Sequence, residues 1–247
     1  SKPLLVSVRS GARVSMPGGC AIGDRPVDIH LRGLEALGAH IELEGGDIIV
    51  KADKLVGAEI FLGGNFGSTV LGTANVMSAA ALAKGTTMIE CAACEPEIVD
   101  VANYLNAMGA KITGAGTPRI VIEGVPTLHG TSHTVIPDRI EAGTFMVAAA
   151  ITNGEVHIDN CRLDHLMAAV DKLRNIGVIV DKDKGGCTVA SVRRLEASTF
   201  TTQPHPGFPT DLQAQFMALL SIADGNSVVT EKIFPDRFLH VAELARL

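Results

Sequence analysis

The sequence predicts an α/β fold assembled from a repeated unit, and three observations carry that expectation. Segments with a two-residue apolar period alternate with segments of helical period. Two interleaved sets of glycines punctuate the chain at nearly constant intervals. Three helices, Ala74 to Ala83, Ile140 to Ile151 and Leu212 to Ala223, are apolar on nearly every face, so each is expected to be enclosed by sheets.

Taken in order, a short strand is expected over Ala12 to Ser15, then a glycine-rich loop, then a helix that starts near Pro26. Gly38 ends that amphipathic helix as Gly109 and Gly177 end two others, at intervals of 71 and 68 residues. A glycine is favoured there because the residue after a helix turns left-handed. Gly85, Gly154 and Gly225 form the second set, each following one of the apolar helices. The best-preserved copy runs through a buried helix (Thr73 to Lys84), a strand (Thr87 to Glu90) and an amphipathic helix (Pro96 to Met108). Two strands, Lys111-Ile112-Thr113 and Ile120-Val121-Ile122, close it around Thr117-Pro118. The segment 240–247 reads as a repeat helix that stops before its capping glycine.

Composition excludes several classes. With 247 residues, 47% hydrophobic and 19% charged, the chain can bury a sizeable core in one large or two small domains. A net charge of −6, no long basic run, 4% aromatics and no Trp leave little material for binding nucleic acid. The longest apolar stretches, such as Phe145 to Ile151 and Met217 to Ala223, fall short of a membrane span, and no signal peptide opens the chain, so a soluble cytoplasmic protein is expected. Five cysteines make an odd count without the spacing of a disulfide scaffold. Cys91 and Cys94 form a CxxC, but no second ligand pair completes a metal site; they read as a strand end and the turn into a helix. No metal or cofactor is expected.

Cys20 is the residue with the most chemical promise. It lies in Pro17-Gly18-Gly19-Cys20, beside Arg25 and just before a helix start, and both neighbours favour the thiolate. An ordinary surface loop with an incidental cysteine is the plain alternative. The N-terminal ends of the apolar helices carry Thr73, Arg139 with Glu141, and Thr210 with Asp211. These groups suit either an anionic ligand or simple capping.

Four motifs carry a resemblance: the Pro-Gly-Gly-Cys loop with Arg25-Pro26-Val27-Asp28, the run Glu95 to Asp100, the segment Ile136 to Phe145, and Phe208-Pro209-Thr210-Asp211-Leu212-Gln213-Ala214-Gln215-Phe216. Together they resemble the UDP-N-acetylglucosamine 1-carboxyvinyltransferases of the enolpyruvate transferase family, over essentially the whole chain. The resemblance implies an inverse α/β barrel of βαβαββ units in two similar domains. Residues 1–137 would belong to the first domain and 138–247 to the second, both incomplete. It also implies transfer of the enolpyruvyl group from phosphoenolpyruvate to the 3′-hydroxyl of UDP-N-acetylglucosamine, the first committed step of peptidoglycan synthesis, and hence a place in cell shape and division and a target for fosfomycin.

By the same resemblance, Cys20 is the general acid toward the methylene carbon of phosphoenolpyruvate and Asp211 faces the sugar hydroxyl. Arg25 sits near the phosphate, and Pro26, Val27, Asp28 and Ile29 line the uracil pocket. Ser68, Thr69 and Val70 form the diphosphate turn, and the backbone of Ile233 holds the sugar. Gly67 stands where many members carry a lysine, so backbone N–H groups are expected to serve there. A Lys-Asn pair and two further arginines used by the family have no counterpart, and the chain alone is expected to turn over little. Uncovered strand edges are expected to favour self-association. A truncated, non-catalytic UDP-sugar-binding paralogue is the alternative reading. The cysteine loop and the 26–29 motif argue against the sister enzyme acting on shikimate 3-phosphate.

Overall fold

A computed structural model describes residues 11–16, 27–65, 67–191 and 194–246. Cys20, Arg25 and Pro26 lie outside the described residues. The chain clusters into two compact units that divide between Val135 and Ile136.

The first unit opens with β1 (Ala12–Ser15), α1 (Asp28–Ala36), β2 (His40–Glu44) and β3 (Asp47–Lys51). These strands form an antiparallel sheet in the order β1-β3-β2. Alternation explains the register: Ile48 and Val50 point into the core while their neighbours are partly open. There follow β4 (Glu59–Phe61), a two-residue hairpin of β5 (Gly63–Gly64) and β6 (Gly67–Ser68), α2 (Val70–Ala80), β7 (Thr86–Glu90), α3 (Pro96–Ala107), β8 (Lys111–Thr113) and β9 (Arg119–Glu123). Their sheet runs β4-β7-β9-β8, with β4 parallel to β7 and the other pairs antiparallel. A helix crosses between the parallel pair and another leads to the antiparallel pair, which makes this a whole βαβαββ unit. The order β1-β3-β2 repeats its last three strands.

The second unit contains α4 (Arg139–Ile151), β10 (Glu155–Asp159), α5 (Met167–Asn175), β11 (Ile179–Lys182) and β12 (Gly186–Ala190), with sheet order β10-β12-β11. It continues with β13 (Thr199–Thr201), a 3-10 turn (Thr210–Leu212), α6 (Gln213–Leu220), β14 (Val228–Thr230) and α7 (Leu239–Leu244), and β13 pairs in parallel with β14. Phe200, Phe208 and Phe216 pack ring against ring with centroids 4.1 to 5.8 Å apart in its core.

Two expectations are corrected in detail. The apolar helices are only partly enclosed: Leu71 on α2 is 40% exposed and Phe145 on α4 is 52% exposed. In addition, α2 begins at Val70, so Thr73 lies inside the helix and Thr69 is the cap. Gly38, Gly85, Gly109, Gly177 and Gly225 all have positive φ, as helix-ending glycines do. The copy after α4 departs from this, because Asn153 (φ 50°) takes the left-handed position just before Gly154.

Candidate active site

The sequence-predicted residues fall into two groups, one in each unit. In the first unit, Val27 is the N-cap position of α1 and Asp28 stands in its first turn. Ile29 reaches the hairpin: a Cβ on Gly64 would lie 2.6 Å from the Ile29 Cδ1, so a larger residue there would displace the Ile29 side chain. One turn on, the Arg32 Nη2 donates to the carbonyls of Phe61 (3.1 Å) and Gly63 (2.8 Å), which staples α1 to the same hairpin.

The hairpin ends at Ser68 and leads directly into Thr69, whose Oγ1 accepts from the Gly72 N–H at 3.2 Å. Val70 then opens α2. The 27–29 segment and the 68–70 turn are therefore joined through one hairpin. Between the helices, the Asn75 amide meets the Nδ1 of His30 at 2.9 Å. Burial lowers the His30 pKa, against the opposing pull of Asp28, which favours the neutral ring, the form whose Nδ1 can accept from the Asn75 amide. The first N–H groups of α2 beyond the cap lack partners within the helix and carry the positive end of its dipole, which suits a phosphate.

Thr73 is not the cap that its polarity offered as one alternative. Its fully buried Oγ1 donates to the Thr69 carbonyl (2.7 Å) and accepts from the Ala93 N–H (3.0 Å), tying the first turn of α2 to the loop after β7. In that loop Cys91 has φ 56° and Cys94 is a free thiol whose pKa is raised by burial. Among the described residues no cluster of His, Cys, Asp and Glu is arranged to hold a metal.

In the second unit, Asp211 Oδ1 accepts from the Arg237 Nη1 at 2.7 Å, with the arginine mostly buried and the carboxylate half exposed. The same nitrogen donates to Thr210 Oγ1 at 3.2 Å. The guanidinium lies 6.0 Å from the Phe234 ring centroid. Ile233 stands in the loop after β14, where its N–H and that of Phe234 both donate to Glu231 Oε1, at 2.7 and 3.0 Å. At the start of α4, Asp138 provides the cap, accepting from the Ile140 and Glu141 N–H groups at 2.8 and 3.1 Å. Arg139 and Glu141 are thus not the capping groups.

Sequence reasoning missed Arg237, Glu231, His30 and Asn75. Arg237 and Asp211 are 26 residues apart, and His30 and Asn75 are 45 apart, so no local pattern links them. The one local signal was a charged run, Glu231 to Arg237, around a position already singled out at Ile233.

The βαβαββ unit and its partial repeats describe the fold, and comparison with known proteins supplies the class. The chain belongs to the EPSP synthase (3-phosphoshikimate 1-carboxyvinyltransferase) family, whose profile matches residues 2–247. It is 51% identical over 236 residues to the UDP-N-acetylglucosamine 1-carboxyvinyltransferase of Methylacidiphilum infernorum, covering 96% of this chain and 56% of that protein. It is 54% identical, with the same coverage, to UDP-N-acetylglucosamine 1-carboxyvinyltransferase 1 of Caldanaerobacter subterraneus subsp. tengcongensis. The chain thus spans about half the length of the curated relatives it matches. The crystal structure of the enolpyruvyl transferase NikO from Streptomyces tendae superposes with a TM-score of 0.82 at 23% identity, over 96% of this chain and 56% of that one, and shares its fold.

Proposed function

We propose that this chain carries much of the site of an enzyme that transfers the enolpyruvyl group from phosphoenolpyruvate to the 3′-hydroxyl of UDP-N-acetylglucosamine, releasing phosphate. The observation that carries the reading is the 51 and 54% identity to enzymes named for that activity. The joined 27–29 and 68–70 segments support it. Val27, Asp28 and Ile29, with Pro26 before them, would line the uracil pocket, and Ser68, Thr69 and Val70 would meet the diphosphate at the N-terminus of α2. The backbone of Ile233 would hold the sugar, with Asp211 facing its 3′-hydroxyl. Arg237 occupies Asp211 Oδ1, which leaves Oδ2 to accept from that hydroxyl as it attacks. Cys20 would protonate the methylene carbon of phosphoenolpyruvate and Arg25 would hold its phosphate.

The reaction places the protein in the cytoplasm, in peptidoglycan synthesis and so in cell shape and division, with fosfomycin expected to alkylate Cys20. No helix among the described residues is long and apolar enough to cross a membrane. Self-association through the open sheet edges is the partner expectation that sedimentation would measure. Calorimetry tests the site. UDP-N-acetylglucosamine should bind more tightly than UDP-glucose, and Arg25→Ala should weaken it by about 1.5–3 kcal/mol, as for a charged hydrogen bond. Equal affinity for the two nucleotides would contradict the sugar site. Binding without any phosphate release, with these residues carried at the full length of the relatives, would favour a non-catalytic UDP-sugar binder.

A further inference from the structure

We infer that Glu231 and Thr210 form a hydrogen-bond relay that fixes Arg237, and through it Asp211, in one orientation; the functional importance of the relay rests on the reading of Asp211 given above. Glu231 collects four donors. Its Oε1 accepts from Thr202 Oγ1 (2.7 Å), the Ile233 N–H (2.7 Å) and the Phe234 N–H (3.0 Å), and its Oε2 accepts from Thr210 Oγ1 (2.9 Å).

The direction of the Thr210 hydroxyl follows from chemistry. An ionised carboxylate only accepts and a guanidinium only donates, while a hydroxyl has one proton and two lone pairs. With Glu231 on one side and Arg237 Nη1 on the other at 3.2 Å, the single Thr210 proton is committed to Glu231 and a lone pair is turned to Arg237. Arg237 in turn donates to Asp211 Oδ1 at 2.7 Å. The polarity of the chain Glu231, Thr210, Arg237, Asp211 therefore runs one way, and each member is pinned by the one before it.

The backbone agrees with this arrangement. The fully buried Gln213, at the start of α6, donates through Nε2 to the Arg237 carbonyl at 2.9 Å, so the arginine is held at both its main chain and its fork. Through Ile233 and Phe234, Glu231 also shapes the loop proposed to hold the sugar. Glu231 and Thr210 are positioning residues: they act on substrate only through Arg237, Asp211 and the loop backbone.

The test uses the 247-residue chain without ligand, labelled with ¹⁵N in arginine side chains and backbone. The expected result is a resolved Arg237 guanidinium signal protected from solvent exchange. Thr210→Val removes the relay, so exchange should accelerate at least tenfold, while the Ile233 and Phe234 amide shifts, set directly by Glu231, stay in place. Thr210→Ser keeps the hydroxyl and should restore the protection. Glu231→Ala removes the acceptor that commits the Thr210 proton and should loosen Arg237 as well. Unchanged Arg237 protection in Thr210→Val would overturn the relay. If Thr210→Val fails to fold, Thr210→Ala decides, since it removes the same hydroxyl without adding a branch: loss of protection with the loop amides still dispersed supports the relay, and retained protection overturns it. No nucleotide enters the measurement, so failure of the relay and failure of the transferase reading are separate outcomes.

Discussion

Replacing Thr73 by valine keeps the shape of the side chain and removes its hydroxyl. Thr73 is fully buried and its Oγ1 makes two hydrogen bonds, to the Thr69 carbonyl and from the Ala93 N–H. The Thr69 carbonyl retains the Thr73 N–H at 3.0 Å, so it is not orphaned. The Ala93 N–H, buried with its residue, loses its acceptor. Leaving such a donor unpaired costs about 1–3 kcal/mol, and the lost Thr69 bond adds roughly 1 kcal/mol. The expected destabilisation is about 2–4 kcal/mol. Thr73→Ser keeps both bonds and loses one methyl, for roughly 1 kcal/mol. Urea unfolding followed by tyrosine fluorescence isolates the first unit, because the chain has no Trp and a single Tyr, Tyr104 on α3. Serine should therefore be better tolerated than the closer isostere. A valine variant as stable as the serine variant would refute the reasoning.

Three further outcomes are expected. Under limiting iodoacetamide Cys20 should be labelled before Cys161 and Cys187, since burial raises the pKa of both and pushes Cys187 up to about 12; peptide mapping that finds either buried thiol first would contradict this. The folded pKa of His30 lies below its unfolded value, so the unfolded chain binds more protons between the two; stability is full above the unfolded pKa of about 6.5 and falls as pH drops toward the folded value. His30→Gln should flatten that part of the profile in urea unfolding between pH 5 and 8, and an unchanged slope would count against it. Asp138→Ala removes the cap of α4 and should cost the second unit about 1 kcal/mol in thermal unfolding by circular dichroism, with no loss contradicting the capping role.

Local order was legible where one residue pattern dictates it. Val14 and Ile112 alternate with polar neighbours, Ile120 and Ile122 are buried on either side of a half-buried Val121, and β1 and β8 fall at Ala12–Ser15 and Lys111–Thr113 as expected. The start of α2 was misread because Leu71-Gly72-Thr73 looks like the end of a loop. Gly72 is helical, and a Cβ there would lie 2.3 Å from the Thr69 Cγ2, so the glycine serves the packing of the cap rather than a turn. Asn153 was missed because the reading settled on Gly154, one residue after the position that is actually left-handed.

Candidate ligand-facing residues were legible as contiguous motifs, 25–29 and 68–70. What holds them was not. The Ile29 contact at Gly64, the Arg32 bonds to Phe61 and Gly63, and the pairing of Arg237 with Asp211 join segments about 25 to 35 residues apart. Only tertiary packing sets such distances, and a single sequence carries no pattern for them.

The most direct test of the central claim is phosphate release from phosphoenolpyruvate, measured with and without UDP-N-acetylglucosamine, on the protein carrying these residues at the full length of its relatives. Release that requires the nucleotide and falls by about 10²–10³ in Asp211→Asn is the predicted result, on the scale of losing one group that acts on the transition state. Release independent of the nucleotide, or full activity of Asp211→Asn, would contradict the account.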